Sequence, residues 1–143
     1  MESVRPSYNL RDQLLEFSGQ FPDAAGTVYS DVFDMESIGQ RGVRIDPFEL
    51  VVESPELTAE QLPDGASFVY SLQFSDTADF SGEVVEWTAG AAWAQTGSAE
   101  GAATFEGRYR VETTQELRYV RAKCVASGSP AATGLGFTLI VVT

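Results

Sequence analysis

Histidine is absent from the chain. That removes the side chain most used as a general base near neutral pH and the commonest transition-metal ligand. Cysteine occurs once, as Cys124, so no internal disulfide forms and no thiolate zinc site can be assembled. Positive charge is scarce: one lysine and eight arginines stand against twenty-one acids, for a formal net charge of −12. A chain so acidic is repelled by phosphate backbones and anionic bilayers, so neither nucleic acid nor membrane is an expected partner. No apolar run approaches the ~20 residues of a membrane span. The opening MESVRPSYNL lacks the apolar centre of a secretory signal. The expectation is a soluble protein made in the cytoplasm.

What is present suits one folded domain. The chain has 143 residues, 43% of them hydrophobic and 21% charged. A chain near that length hides roughly 70% of its unfolded surface on folding and needs no covalent staple. Beyond residue 26 the signals are strands. GTVYSDVFDM, FELVVES, ASFVYSLQF, EVVEWTAGAAWAQ, ATFEGRYRVE, LRYVRAKCVAS and GFTLIVVT read as extended segments, most with apolar residues at every second position. Turn-formers separate them, with no long helix between. SPELTAEQLP holds at most one helical turn, which Pro63 stops. The fold class is therefore all-β: a jelly-roll-like β-sandwich over residues 26–143. Residues 1–25 form a short arm. It reads equally as a helix capped by Ser7, with Leu10, Leu14 and Phe17 on one face, or as an extended segment.

The positive charge is concentrated. Arg118, Arg121 and Lys123 fall within six positions of one strand. Alternation turns Val120, Ala122, Cys124 and Ala126 to the core and Tyr119, Arg121, Lys123 and Val125 outward. The preceding strand turns Arg108 and Arg110 outward, opposite Tyr109. If the two strands are neighbours through TTQE, four cations form one patch. Two readings stand side by side: cross-strand pairing with Glu106, Glu112 and Glu116, or a basic surface for an acidic partner.

No catalytic constellation emerges. Cys124 falls on the core face and reads as a small apolar filler. Asp76, Asp79 and Glu83 sit in one loop, in a spacing unlike a helix-loop-helix calcium site; Asp also serves turns by bonding its own backbone. Trp87 and Trp93 read either as core packing or as a sugar-stacking platform of a non-catalytic carbohydrate- or ligand-binding module. Gly90 between them favours a bulge. The expectation is no enzyme, no cofactor and no metal. The last strand is apolar on both faces, Phe137, Leu139 and Val141 against Ile140 and Val142. Such a strand belongs at the centre of a sheet, covered on one side by the second sheet and on the other by the N-terminal segment or a neighbouring subunit.

The order RDQLLEFSGQ, YSDVFDM, FELVVES, FVYSLQFSDTADFS and LRYVRAKCVASGSPAATGLGFTLIVV resembles the jelly-roll cement, or head-decoration, proteins of tailed bacteriophages. The matching positions are Asp12, Gln13, Leu14, Phe17 and Ser18, then Ser30 and Asp34, then Ser75 and Asp76, and the closing Arg-Tyr-x-Arg strand. The chain departs from that pattern at FDMESIGQRG, where such proteins often carry a Gly-rich turn. The resemblance implies a homotrimer on the virion surface that ties neighbouring major capsid protein subunits together, without catalysis. The candidate interface residues are Arg108, Arg110, Tyr119, Arg121 and Lys123, with Leu10, Leu14 and Phe17 from the arm and Ile140 and Val142 from the last strand.

Overall fold

The structure is a computed structural model that describes residues 15–38, 48–111 and 117–142. It contains ten strands among those residues: β1 (Glu16–Gln20), β2 (Gly26–Tyr29), β3 (Phe33–Asp34), β4 (Phe48–Ser54), β5 (Ser67–Ser75), β6 (Val84–Thr88), β7 (Ala94–Thr96), β8 (Phe105–Val111), β9 (Tyr119–Ser127) and β10 (Gly136–Val142). They form two antiparallel sheets. Sheet A runs β1-β10-β4-β8, and sheet B runs β2-β9-β5-β6. The short β3 extends the β2 position along β9, and β7 extends the β6 position along β5. Merging those pairs leaves eight strand positions, ordered 1-8-3-6 in one sheet and 2-7-4-5 in the other. That order is a jelly roll, an architecture shared by viral capsid and lectin domains.

Period-two alternation carries the core. Phe48, Leu50 and Val52 of β4, Phe68, Tyr70, Leu72 and Phe74 of β5, and Phe137, Leu139 and Val141 of β10 are buried between the sheets. Each such side chain contributes about 1.5–3 kcal/mol through apolar burial. Aromatic contacts close the layer: Phe21 stacks on Phe68 at 4.4 Å between centroids, and Phe137 tilts against Phe21 and Tyr70 at 5.8 Å. Gly19 is glycine for a steric reason, since a Cβ there would lie 2.5 Å from Phe137 Cζ. One polar network crosses the core. The Tyr70 hydroxyl lies 2.6 Å from Gln95 Oε1 and 2.9 Å from Ser54 Oγ. Gln95 Nε2 donates to the Pro55 and Ala103 carbonyls. The expected single turn before Pro63 is present: Thr58 and Gln61 cap each other reciprocally, and Leu62 N–H donates to the Thr58 carbonyl.

Three expectations change. Residues 16–20 are a strand paired with β10, so the helical reading fails there, and the sandwich takes in residues assigned to an arm. Phe17 points inward and packs on Phe33 at 5.0 Å, so its ring serves the core and not an outer surface. Most consequentially, β8 and β9 are not neighbours. β8 pairs with β4 in sheet A, and β9 lies between β2/β3 and β5 in sheet B. The chain changes sheets between them, so Arg108 and Arg110 face away from Arg121 and Lys123. The four-cation patch does not form.

Candidate docking surface

The outer face of sheet B carries the basic strand. Tyr119, Arg121 and Lys123 are half-buried on it, while Val120, Ala122, Cys124 and Ala126 are buried beneath, as the alternation requires. Arg121, Gln73 and Glu86 stand opposite one another across β9, β5 and β6. Their side chains form a relay. Arg121 Nε donates to Gln73 Oε1 at 3.0 Å, and Gln73 Nε2 donates to Glu86 Oε1 at 3.2 Å. Lys123 Nζ reaches the same Glu86 oxygen at 3.0 Å, and Ser71 Oγ donates to Glu86 Oε2. Partial burial alone would raise the Glu86 pKa, but the bonds from Lys123, Gln73 and Ser71 outweigh it and lower it.

Arg121 is held differently from Arg108, Arg118 and Lys123. Its Cζ lies 3.6 Å from the Tyr29 ring centroid and 4.0 Å from that of Phe80, so two rings flank the planar guanidinium. Burial lowers its pKa, partly offset by Tyr29, from so high a value that it stays charged at neutral pH. Phe80 arrives from the loop between β5 and β6 and takes a left-handed φ of 58°. The loop is pinned by its own acids and hydroxyls. Asp76 Oδ1 accepts from Glu83 N–H, Asp79 Oδ1 accepts from Ser81 N–H and Oγ–H, and Thr77 Oγ1 accepts from Gly82 N–H. The bonds from Ser81 lower the Asp79 pKa. Asp76 and Asp79 thus each commit Oδ1 to the turn.

Arg118 and Arg108, like Lys123, are paired with carboxylates within the chain. Arg118 grips Asp34 through two 2.8 Å bonds, which hold the Asp34 carboxyl below its ordinary range, and sits 5.2 Å over the Tyr119 ring. Arg108 bridges Glu49 at 2.8 Å and Glu106 at 2.7 Å. Pairing between strands therefore occurs with Asp34, Glu49 and Glu86, none of them an expected partner, whereas the expected Glu106 meets Arg108 along their own strand β8. Glu112 and Glu116 lie outside the described residues.

The outer face of sheet A is chemically distinct. Ile140 stands between Glu16 and Val51, and Val142 stands opposite Glu49, which stands opposite Arg110. β10 is central in its sheet as expected; on its outer face Ile140 is half-buried and Val142 is 43% exposed. Beside it a hollow of about 520 Å³ opens among Glu53, Phe105, Glu106 and Thr138. The candidate interface residues thus divide between two faces: Arg108, Arg110, Ile140 and Val142 on sheet A, and Tyr119, Arg121 and Lys123 on sheet B. Leu10 and Leu14 lie outside the described residues. Tyr29, Gln73 and Phe80 were missed by sequence reasoning; the alternation of β5 places Gln73 outward, but nothing local announces the two rings.

Trp87 and Trp93 meet edge-on at 4.8 Å and 74°, with Trp87 against Tyr109 and Trp93 against Phe105. Trp93 is only 6% exposed, and the Gly90–Trp93 turn breaks the strand between them. They close the end of the core and offer no flat stacking platform. Burial pushes the Cys124 thiol up to about 12, which suits a filler and not a nucleophile.

No family model and no curated protein matches the sequence. Among solved structures the chain is similar to VP2 of infectious bursal disease virus in a subviral particle, with 14% identity and a TM-score of 0.49 over 89% of this chain and 30% of that one. It is similar to the xylan-binding module CBM15, with 20% identity and a TM-score of 0.41 over 87% and 75% of the two chains. It is also similar to the CBM22-1 xylan-binding domain of Paenibacillus barcinonensis Xyn10C, with 10% identity and a TM-score of 0.40 over 81% and 70%. The chain spans only 29–30% of the length of the viral chains it matches. The jelly-roll assignment rests on this chain's own strand order.

Proposed function

We propose that this chain is a structural, non-catalytic virion protein that decorates a tailed-bacteriophage capsid as a homotrimer and cements neighbouring major capsid subunits. The observation that carries the reading is its two-sidedness. A bridging protein needs two separate contact faces, and here two outward sheet faces differ in chemistry. Sheet A offers Ile140 and Val142 beside an acidic hollow. Sheet B offers a guanidinium framed by aromatic rings. Three copies meeting about a threefold axis would bring the same Ile140–Val142 strip together and cover it; sheet B would face the shell.

The test is solution mass by light scattering after gel filtration, at low and high salt, followed by co-sedimentation with undecorated heads. A salt-stable trimer that pellets with heads is expected. A monomer at every concentration removes the trimer, and a protein that stays in the supernatant removes the cement role.

A further inference from the structure

We infer that Arg121, framed by Tyr29 and Phe80, is a receptor for one carboxylate, an Asp or Glu side chain on the protein surface that sheet B meets. The partner's identity as a capsid subunit rests on the reading above; the chemistry of the receptor does not. Arg121 uses Nε on Gln73. Among the described residues its two Nη groups have no hydrogen-bond or ion-pair partner. They form a planar fork that matches a carboxylate with two parallel bonds. By contrast Arg108, Arg118 and Lys123 each hold a carboxylate at 3.0 Å or less.

The charge is not neutralised from within. Glu86, which shares the relay, is taken by Lys123, Gln73 and Ser71, and the Gln73 amide stands between it and Arg121. The receptor is also fixed in place. Phe80 is kept left-handed, a conformation unfavourable for a bulky side chain, by a loop tied through Asp76, Thr77 and Asp79. A guanidinium already held between rings loses little freedom on binding. The surroundings suit a protein surface: Tyr29, Val84 and Val125 are 40%, 40% and 37% exposed on this face. Aromatic residues and Arg are the types enriched at interfaces. A polyanion such as nucleic acid or an anionic bilayer would meet the net charge of −12, whereas one carboxylate presented by a neighbour does not.

The experiment titrates the full isotope-labelled chain with acetyl-Glu-Glu-Glu-amide at low ionic strength, following the Gln73 side-chain amide resonances. Acetyl-Gln-Gln-Gln-amide and inorganic phosphate serve as comparison probes. The expected result is a saturable shift with the Glu peptide and none with the Gln peptide. Arg121→Lys, which keeps the charge and loses the fork, should weaken binding at least about fivefold, and Arg121→Gln should abolish it. No shift with the Glu peptide, equal binding by Arg121→Lys, or phosphate binding as tightly as the peptide each overturns the inference. With undecorated heads, Arg121→Lys should weaken decoration about tenfold or more. Equal decoration by Arg121→Lys and the parent chain also overturns it and leaves the cement reading standing. A parent chain that decorates no heads removes the cement reading, and the peptide titration then decides the receptor alone.

Discussion

Tyr70→Phe removes one oxygen atom from the middle of the sandwich. The ring is fully buried, and its hydroxyl lies 2.6 Å from Gln95 Oε1 and 2.9 Å from Ser54 Oγ. The amide of Gln95 cannot turn to compensate, because Nε2 is already committed to the Pro55 and Ala103 carbonyls at 3.0 and 2.8 Å. Oε1 must therefore keep facing the vacated position. A typical hydrogen bond nets about 1 kcal/mol, but stranding a buried polar partner costs about 1–3 kcal/mol. Ser54 is also buried, so its hydroxyl loses a partner as well. The expected destabilisation is about 2 kcal/mol, a factor of about 30 in the folding equilibrium. Urea unfolding followed by tryptophan fluorescence reads it as a lower midpoint with unchanged slope. Ser54→Ala should cost less in the Tyr70→Phe background than in the parent chain, since the two share a bond. A loss below about 0.5 kcal/mol with no coupling would refute the network as a source of stability.

Two further outcomes follow from the same structure. Asp34 and Glu86 have folded pKa values below their ordinary 3.8 and 4.5, so the stability they add is present above those values and lost as pH falls through the lowered ones. Cys124 is raised from 9.0 to about 12, so its contribution is whole below pH 9 and lost as pH rises towards 12. Unfolding free energy measured against pH should thus be flat between about 5 and 9 and decline on both sides; a maximum at the isoelectric point would contradict it. Gly19→Ala drives a methyl into the Phe137 ring and should cost about 1–3 kcal/mol by thermal unfolding.

Local pattern reached far into this fold and stopped at a definable place. The faces of β4, β5, β9 and β10 follow from alternation alone, because each strand buries one side against the opposite sheet. The single turn before Pro63 follows from SPELTAEQLP, while the reciprocal cap of Thr58 and Gln61 inside it was not anticipated. β1 was ambiguous because EFSGQ has little alternation, and its Gly19 is explained only by Phe137 from the far end of the chain. The error over β8 and β9 has the same origin. Two consecutive amphipathic strands read as a hairpin, yet in a jelly roll consecutive strands often cross between sheets, and which sheet a strand joins is decided by partners distant in sequence.

The concentration of cations on β9 follows from its position. β9 is central in sheet B, so its outward side chains can reach neighbours on both flanks. Lys123 uses that reach across β5 to Glu86 of β6, and Arg118, just before β9 begins, pairs with Asp34 of β3. In a chain with more than twice as many acids as bases, placing the bases on a central strand lets each one serve an edge strand that would otherwise expose like charges. Sheet stability thus accounts for Arg118 and Lys123. It does not account for Arg121, which spends a charge on an uncharged amide and two rings. If stability were its only role, Arg121→Met would keep the stem packing between Tyr29 and Phe80, remove the cost of a half-buried unpaired charge, and leave the protein at least as stable. That is the outcome expected in unfolding experiments. Its combination with weakened head decoration would separate the docking role of this residue from the structural role of its neighbours; a variant that unfolds readily would place Arg121 with the structural cations instead.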